Sequence, residues 1–223
     1  MEILNVLKSI REEYSQHASD VNSLAMQTYM KDKFIFFGIK KPIRKEILKP
    51  YLTQLKNISQ EDQIKGVKWL WKQKEREMHY LAFELLFRNK KIWDKNILEL
   101  FEELIVSNSW WDSVDYIAST LVGYYFQKFP ERKRKKTMEW MKSKNMWLNR
   151  TAMIFQLKYR DKTDVDLLFM SILPHLESKE FFHQKAIGWA LRQYAYTDMK
   201  TVKKFVESHS LKPLSVREAL RHA

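Results

Sequence analysis

Ser59–Phe87, SQEDQIKGVKWLWKQKEREMHYLAFELLF, is the stretch whose reading decides the fold. Ser59-Gln60-Glu61-Asp62 reads as a capping start: a serine oxygen can accept a backbone N–H of the first turn, and acids suit the positive end of a helix. Ile64, Val67, Trp69 and Leu70 follow in register. After a short polar link a second run opens at Glu75 and reaches Phe87, with Met78, Leu81, Ala82, Leu85 and Leu86 at near-helical spacing. Two amphipathic helices therefore stand next to each other in the chain.

The same pattern extends outward in both directions. Asp20 can cap a segment running to about Lys31, and Pro42 suits the first turn of a helix ending near Tyr51. Asp94 caps Lys95–Val106, Ser109 opens a Trp-rich segment, and Pro130 starts another helix. Met146–Tyr159, Asp164–Leu176, Phe181–Tyr194 and Met199–Val206 complete the series. Helices of ~12 residues, paired about every 35–40 residues, predict an all-α, HEAT-like helical-repeat solenoid, an α-α superhelix with a concave basic face. No Pro/Ser/Gly-rich linker divides the chain, so residues 1–223 read as a single repeat domain.

Composition agrees. The chain is 45% hydrophobic and 14% aromatic, which excludes disorder, and its four glycines and five prolines argue against a fold of many tight turns. With no cysteine there is no disulfide framework, no thiolate nucleophile and no Cys-type zinc site. Met1–Lys8 lacks the basic and apolar regions of a signal peptide, and no window approaches ~20 uninterrupted apolar residues. The expectation is a cytoplasmic protein without membrane contact.

The net charge of +13 is uneven: residues 1–110 carry +4 and residues 111–223 carry +9. Such an excess in a folded chain favours a polyanion, nucleic acid before membrane. Glu131-Arg132-Lys133-Arg134-Lys135-Lys136 is the densest cluster, readable as an exposed helix face or as phosphate contacts. Six histidines (His17, His79, His175, His183, His209, His222) show no metal-ligand spacing, and no P-loop, GxGxxG or GxSxG motif occurs.

Ser109-Trp110-Trp111-Asp112-Ser113-Val114-Asp115 is the segment most in need of explanation. Ser109-x-x-Asp112 resembles a capping box, and Trp110 reads as core. Trp111 and Asp115 stand at i and i+4, placing an indole beside a carboxylate on one helix face. Asp115 is expected near the positive end of the dipole, with a lowered pKa. A structural role for Asp115 competes with a functional one on these grounds alone. Trp147-Leu148-Asn149-Arg150-Thr151-Ala152 adds an arginine near a helix start, which calls for a nearby carboxylate or phosphate. In Ile187-Gly188-Trp189-Ala190-Leu191-Arg192, Gly188 weakens a helix interior, which close approach of a ligand or of a packed helix would explain. Phe181-Phe182 reads as cleft lining or as core packing.

With these residues in hand, the chain resembles the AlkD-like DNA alkylation-repair glycosylases, a HEAT-like repeat family. The resemblance rests on Tyr29-Met30-Lys31, Phe37-Gly38-Ile39, Trp110-Trp111-Asp112-Ser113-Val114-Asp115, Asn149-Arg150-Thr151-Ala152 and Ala186–Arg192, in the family's order. It covers most of the chain, and the Trp-Trp-Asp-x-Val-Asp piece is the most specific. It implies that Asp115 is the catalytic carboxylate, that Trp111 and Trp189 wall the cleft, and that Arg150 holds Asp115 or a phosphate. Tyr29 matches a further cleft residue, and with Arg192, Lys158 and Lys185 makes up the candidate DNA-binding set. The implied partner of this monomer is duplex DNA bearing N3- or N7-alkylated purines, which would place it at the nucleoid when bound.

Those residue types suit the chemistry. Ordinary glycoside cleavage needs a general acid for the leaving group. An N3- or N7-alkylated purine already carries positive charge and departs neutral, so one ionised carboxylate can suffice to stabilise the oxocarbenium-like deoxyribose and orient water. Indole faces add ~1–2 kcal/mol of cation–π stabilisation when desolvated. No metal or cofactor is called for. The implied activity is that of a DNA-alkylpurine N-glycosylase. The rival readings are a non-catalytic relative that binds distorted or branched DNA and a protein–protein HEAT scaffold.

Overall fold

The structure, a computed structural model, describes residues 2–221, so His222 lies outside it. The chain is all-α. Among the described residues the one β-type pairing is an isolated bridge between Ile35 and Glu75, and no helix is long and apolar enough to cross a membrane. Two compact units emerge, Met1–Ile97 and Leu98–Ala223, in a chain expected to form one repeat domain.

The first unit contains α1 (Ile3–Gln16), α2 (Asp20–Tyr29), α3 (Lys41–Leu48), α4 (Gln60–Trp71) and α5 (Arg76–Arg88). The deciding stretch folds as the expected pair: Ser59 Oγ accepts the Asp62 N–H at 3.0 Å to start α4, and α4 packs on α5. α1, absent from the sequence expectations, buries Ile3, Val6, Leu7, Ile10 and Tyr14, a stripe with helical period. The cap of α2 is Ser19 rather than Asp20; its oxygen faces the Asn22 N–H, and Asp20 becomes the first helical residue. Asp94 likewise accepts the Asn96 N–H at 2.8 Å in a local turn, which delays the next helix to Ile97.

α6 (Ile97–Val106) begins at the boundary, and α7 (Trp111–Tyr116), α8 (Gly123–Lys128), α9 (Pro130–Met141), α10 (Met146–Ile154), α11 (Val165–Ile172), α12 (Phe181–Ala195), α13 (Met199–Ser208) and α14 (Pro213–Ala219) follow. α10 ends before the expected Tyr159 because the Gln156 side chain exchanges two hydrogen bonds with the Asp164 backbone and turns the chain into a loop. Asp164 then caps α11 by accepting the Leu167 N–H at 3.1 Å. α14 is a second helix missed at the sequence level.

α7 and α8 are joined by one π-helical segment, Ile117–Val122. Gly123 bonds back five residues to the Ala118 carbonyl. A Cβ at Gly123 would stand 2.8 Å from the Phe155 carbonyl oxygen, so only glycine allows this approach. Gly188 answers a similar need: its Cβ would lie 2.4 Å from Glu218 Cβ, and α12 packs there on α14. Of the two explanations for Gly188, helix packing is the one realised. The core around α10 and α12 includes Met153, Ile154, Ile187, Leu191, Val202 and Phe205.

The basic run of α9 is largely a helix surface. Arg132 and Lys135 are exposed, whereas Lys133 pairs with Asp164 and Lys136 with Glu102 and Glu139.

Candidate active site

The site grows from three helices of the second unit, α7, α10 and α12, with α10 packed against both of the others. Trp110 is the N-cap of α7, in extended backbone conformation, and Ser113 Oγ accepts its N–H at 3.4 Å. The expected Ser109–Asp112 capping box is not made. Ser109 donates instead to the Ile105 carbonyl at 2.6 Å, at the end of α6, leaving Ser113 as the side chain that meets the start of α7. Trp111 and Asp115 both lie in α7, one turn apart as expected, and both are partly buried.

α10 is set firmly on α9. Asn145 caps it, accepting the Trp147 and Leu148 N–H groups at 2.9 and 3.3 Å. Asn149, itself buried, donates to the Trp140, Met141 and Ser143 carbonyls that end α9. Arg150 follows directly on this anchored turn. Its Nε and Nη2 donate to the two Asp115 oxygens at 2.7 and 2.9 Å, and Nη1 donates to the Phe182 carbonyl at 2.7 Å. Of the two anions expected for Arg150, carboxylate or phosphate, the structure supplies the carboxylate.

The arginine side chain is 5% exposed and the aspartate 17%. The cation is thus sealed while the carboxylate keeps an opening. Around them Trp110, Trp147 and Phe182 form an aromatic cluster, with ring centroids 6.0 Å apart for Trp110–Trp147, 5.4 Å for Trp110–Phe182 and 4.9 Å for Trp147–Phe182. The Arg150 guanidinium carbon lies 5.8 Å from the Phe182 ring centroid. Trp110, expected in the core, is only partly buried in this cluster.

Burial pushes the Asp115 carboxyl above the ordinary aspartate value, Arg150 pulls it back, and Asp112 adds a smaller upward push. The lowering expected from the helix start does not prevail. Both oxygens nevertheless accept N–H groups from one guanidinium, the arrangement of a carboxylate anion.

Trp189 is half-buried on α12 against the core. It follows Phe182 by seven residues, two turns along the same face and about 10 Å along the axis. Lys185 and Arg192 share one partner, the Glu218 carboxylate, at 2.9 and 2.8 Å. Lys158, at an exposed position, donates to Thr120 Oγ1 at 2.6 Å. Tyr29 is in the first unit, at the end of α2, and is 66% exposed.

Sequence reasoning missed Trp147 and His183 as neighbours of the site, and left Phe182 between cleft lining and core packing. Trp147 stands three residues before Arg150, and Phe182 is in register with Trp189; that spacing was the available signal. His183 bonds Ser178 through Nδ1 at 2.8 Å and lies 4.7 Å from His175, centroid to centroid. Burial, then the neighbouring His175, lowers its pKa to about 4.

Comparison with known proteins bears on this geometry. A family model described as DNA alkylation repair enzyme matches residues 10–223. The solved structure of a predicted DNA alkylation repair enzyme from Enterococcus faecalis superimposes with a TM-score of 0.87 at 29% identity, covering 92% of this chain and 96% of that one. No curated protein matches.

Proposed function

The chain belongs to the DNA alkylation repair enzyme family, and we propose that within it this protein is a glycosylase excising N3- or N7-alkylated, positively charged purines from duplex DNA. The observation that carries the reading is the Asp115 carboxylate, fixed by two hydrogen bonds from a sealed Arg150 and still open on one side. DNA is the macromolecular partner that the family implies.

In the proposed reaction the C1′–N bond breaks and its electron pair passes to the cationic purine, which leaves neutral. Deoxyribose C1′ becomes electron-poor, and the preorganised Asp115 anion stabilises it without needing to reorient. Water adds to C1′ and its proton passes to Asp115 or solvent, leaving an abasic sugar. Trp111, one turn before Asp115, supplies an indole on the same helix face, and Trp189 is assigned a second wall. Arg150 is a positioning residue here: its three donating nitrogens are committed to Asp115 and Phe182, so it acts through the carboxylate.

The experiment is release of 7-methylguanine from methylated duplex DNA by the wild type and by Asp115→Asn. Wild-type release that the variant loses supports the assignment. Equal release by both removes Asp115 from the reaction, and DNA binding with no release by the wild type selects the non-catalytic relative.

A further inference from the structure

The first unit contains a pocket none of whose lining residues, Tyr29 excepted, has been given a role above. Its volume is about 330 Å³, at the lower end of the ~300–1,000 Å³ range of small-molecule sites. Met26, Met30 and Phe36 supply an apolar wall, and Tyr29 and Tyr80 line it as well. Lys40, Lys41 and Arg44 bring three cationic side chains to the same space.

Arg44 is the unusual member. It is 8% exposed, and its Nε is buried without a hydrogen-bond partner. Its guanidinium carbon lies 4.7 Å from the centroid of the Tyr80 ring, so the aromatic face supports the cation but accepts no N–H in place of an anion. Glu77 lines the same pocket yet does not serve as that acceptor: its oxygens receive the backbone N–H groups of Phe37, Gly38 and Ile39 at 3.1, 2.9 and 3.1 Å. A buried donor on a cation is costly to leave unmade. α3 also begins here, with Lys40 as N-cap and no side chain capping its first turn. The positive end of its dipole lies on the same side as Arg44.

We infer that this pocket is a nucleotide-binding site: Arg44, Lys40 and Lys41 take the phosphate, and the Met26–Met30–Phe36 wall takes the base. A bare anion would leave the apolar wall unused, and an uncharged ring would leave Arg44 unanswered. The same nucleoside monophosphate chemistry is offered by a free nucleotide and by an unpaired nucleotide within DNA. The inference does not depend on base release, and its test measures binding alone.

The test is calorimetric titration of the full chain with deoxyadenosine 5′-monophosphate, deoxyadenosine and inorganic phosphate. In parallel, fluorescence anisotropy compares a duplex carrying one unpaired adenosine with a fully paired duplex. Arg44→Met keeps the apolar stem and removes the charge. For a free-nucleotide site, the monophosphate binds about tenfold or more tightly than either fragment, and Arg44→Met loses about tenfold in affinity. For a site serving DNA, Arg44→Met weakens the duplex with the unpaired nucleotide about tenfold more than the paired one. Phosphate binding as tightly as the nucleotide, or unchanged affinities in Arg44→Met, overturns the inference. Should that variant fail to fold, the exposed pair Lys40→Gln/Lys41→Gln takes its place: several-fold weaker binding supports the site and unchanged affinity overturns it.

Discussion

Asp115 and Arg150, 35 positions apart, meet through two parallel hydrogen bonds of 2.7 and 2.9 Å on separate helices. A bidentate pair fixes direction as well as distance, so the carboxylate cannot swing away from its site without breaking both bonds. Asp115→Asn removes the charge and little volume. Base release should fall about 100- to 1,000-fold, the loss typical of deleting one preorganised electrostatic group, while affinity for alkylated duplex stays within about threefold. Single-turnover release and anisotropy check the two halves.

Arg150→Gln separates positioning from catalysis. Arg150 is the group that pulls the Asp115 pKa down against burial. Without it that pKa rises further, so protonation silences the carboxylate at higher pH. The acid limb of the rate profile should shift upward relative to wild type, and raising the pH should restore part of the lost rate. A purely structural loss would lower the rate by the same factor at every pH.

Local chemistry explains which helix starts and spacings are legible in the sequence. The capped start at Ser59 and the i, i+4 pair Trp111–Asp115 depend on residues within a turn or two of one another. The Ser109–Asp112 box was misread because the extended Trp110 backbone moves the helix start by one residue and the Ile105 carbonyl captures the serine hydroxyl. The six-residue π segment at Ile117–Val122 has no periodic signature of its own. The direction of the Asp115 pKa shift depends on burial, which arises only when α7 meets α10 and the Phe182 end of α12 comes up against Arg150. The choice of partner for Arg150 waited on the same tertiary contact.

His183 should make the second unit acid-sensitive. Its pKa falls from 6.5 to about 4 in the fold, so folding favours the neutral ring. That contribution is complete above pH 6.5 and is lost as pH falls through about 4. Urea unfolding of wild type should lose on the order of 2 kcal/mol across this window that His183→Gln does not lose. Equal pH dependence in the two proteins would show that the ring does not charge on unfolding.

Glu218 occupies Lys185 and Arg192, two of the candidate DNA contacts. One carboxylate answers both cations, and each pulls its pKa down, Lys185 the more strongly, so it stays ionised at neutral pH. While those ion pairs persist, a phosphate must compete with Glu218 for the same donors. Glu218→Gln keeps the side-chain length beside Gly188, where α14 packs closely on α12, but removes the competing charge. If Lys185 and Arg192 contact phosphates, the variant should bind duplex DNA more tightly at low salt. Its plot of log affinity against log salt should also steepen, by up to about 0.9 for each additional phosphate neutralised. Anisotropy titrations between about 50 and 200 mM salt resolve a change of that size. A tighter complex with an unchanged slope would mean that Glu218 acted by simple repulsion, and an unchanged complex would move the phosphate contacts to other residues.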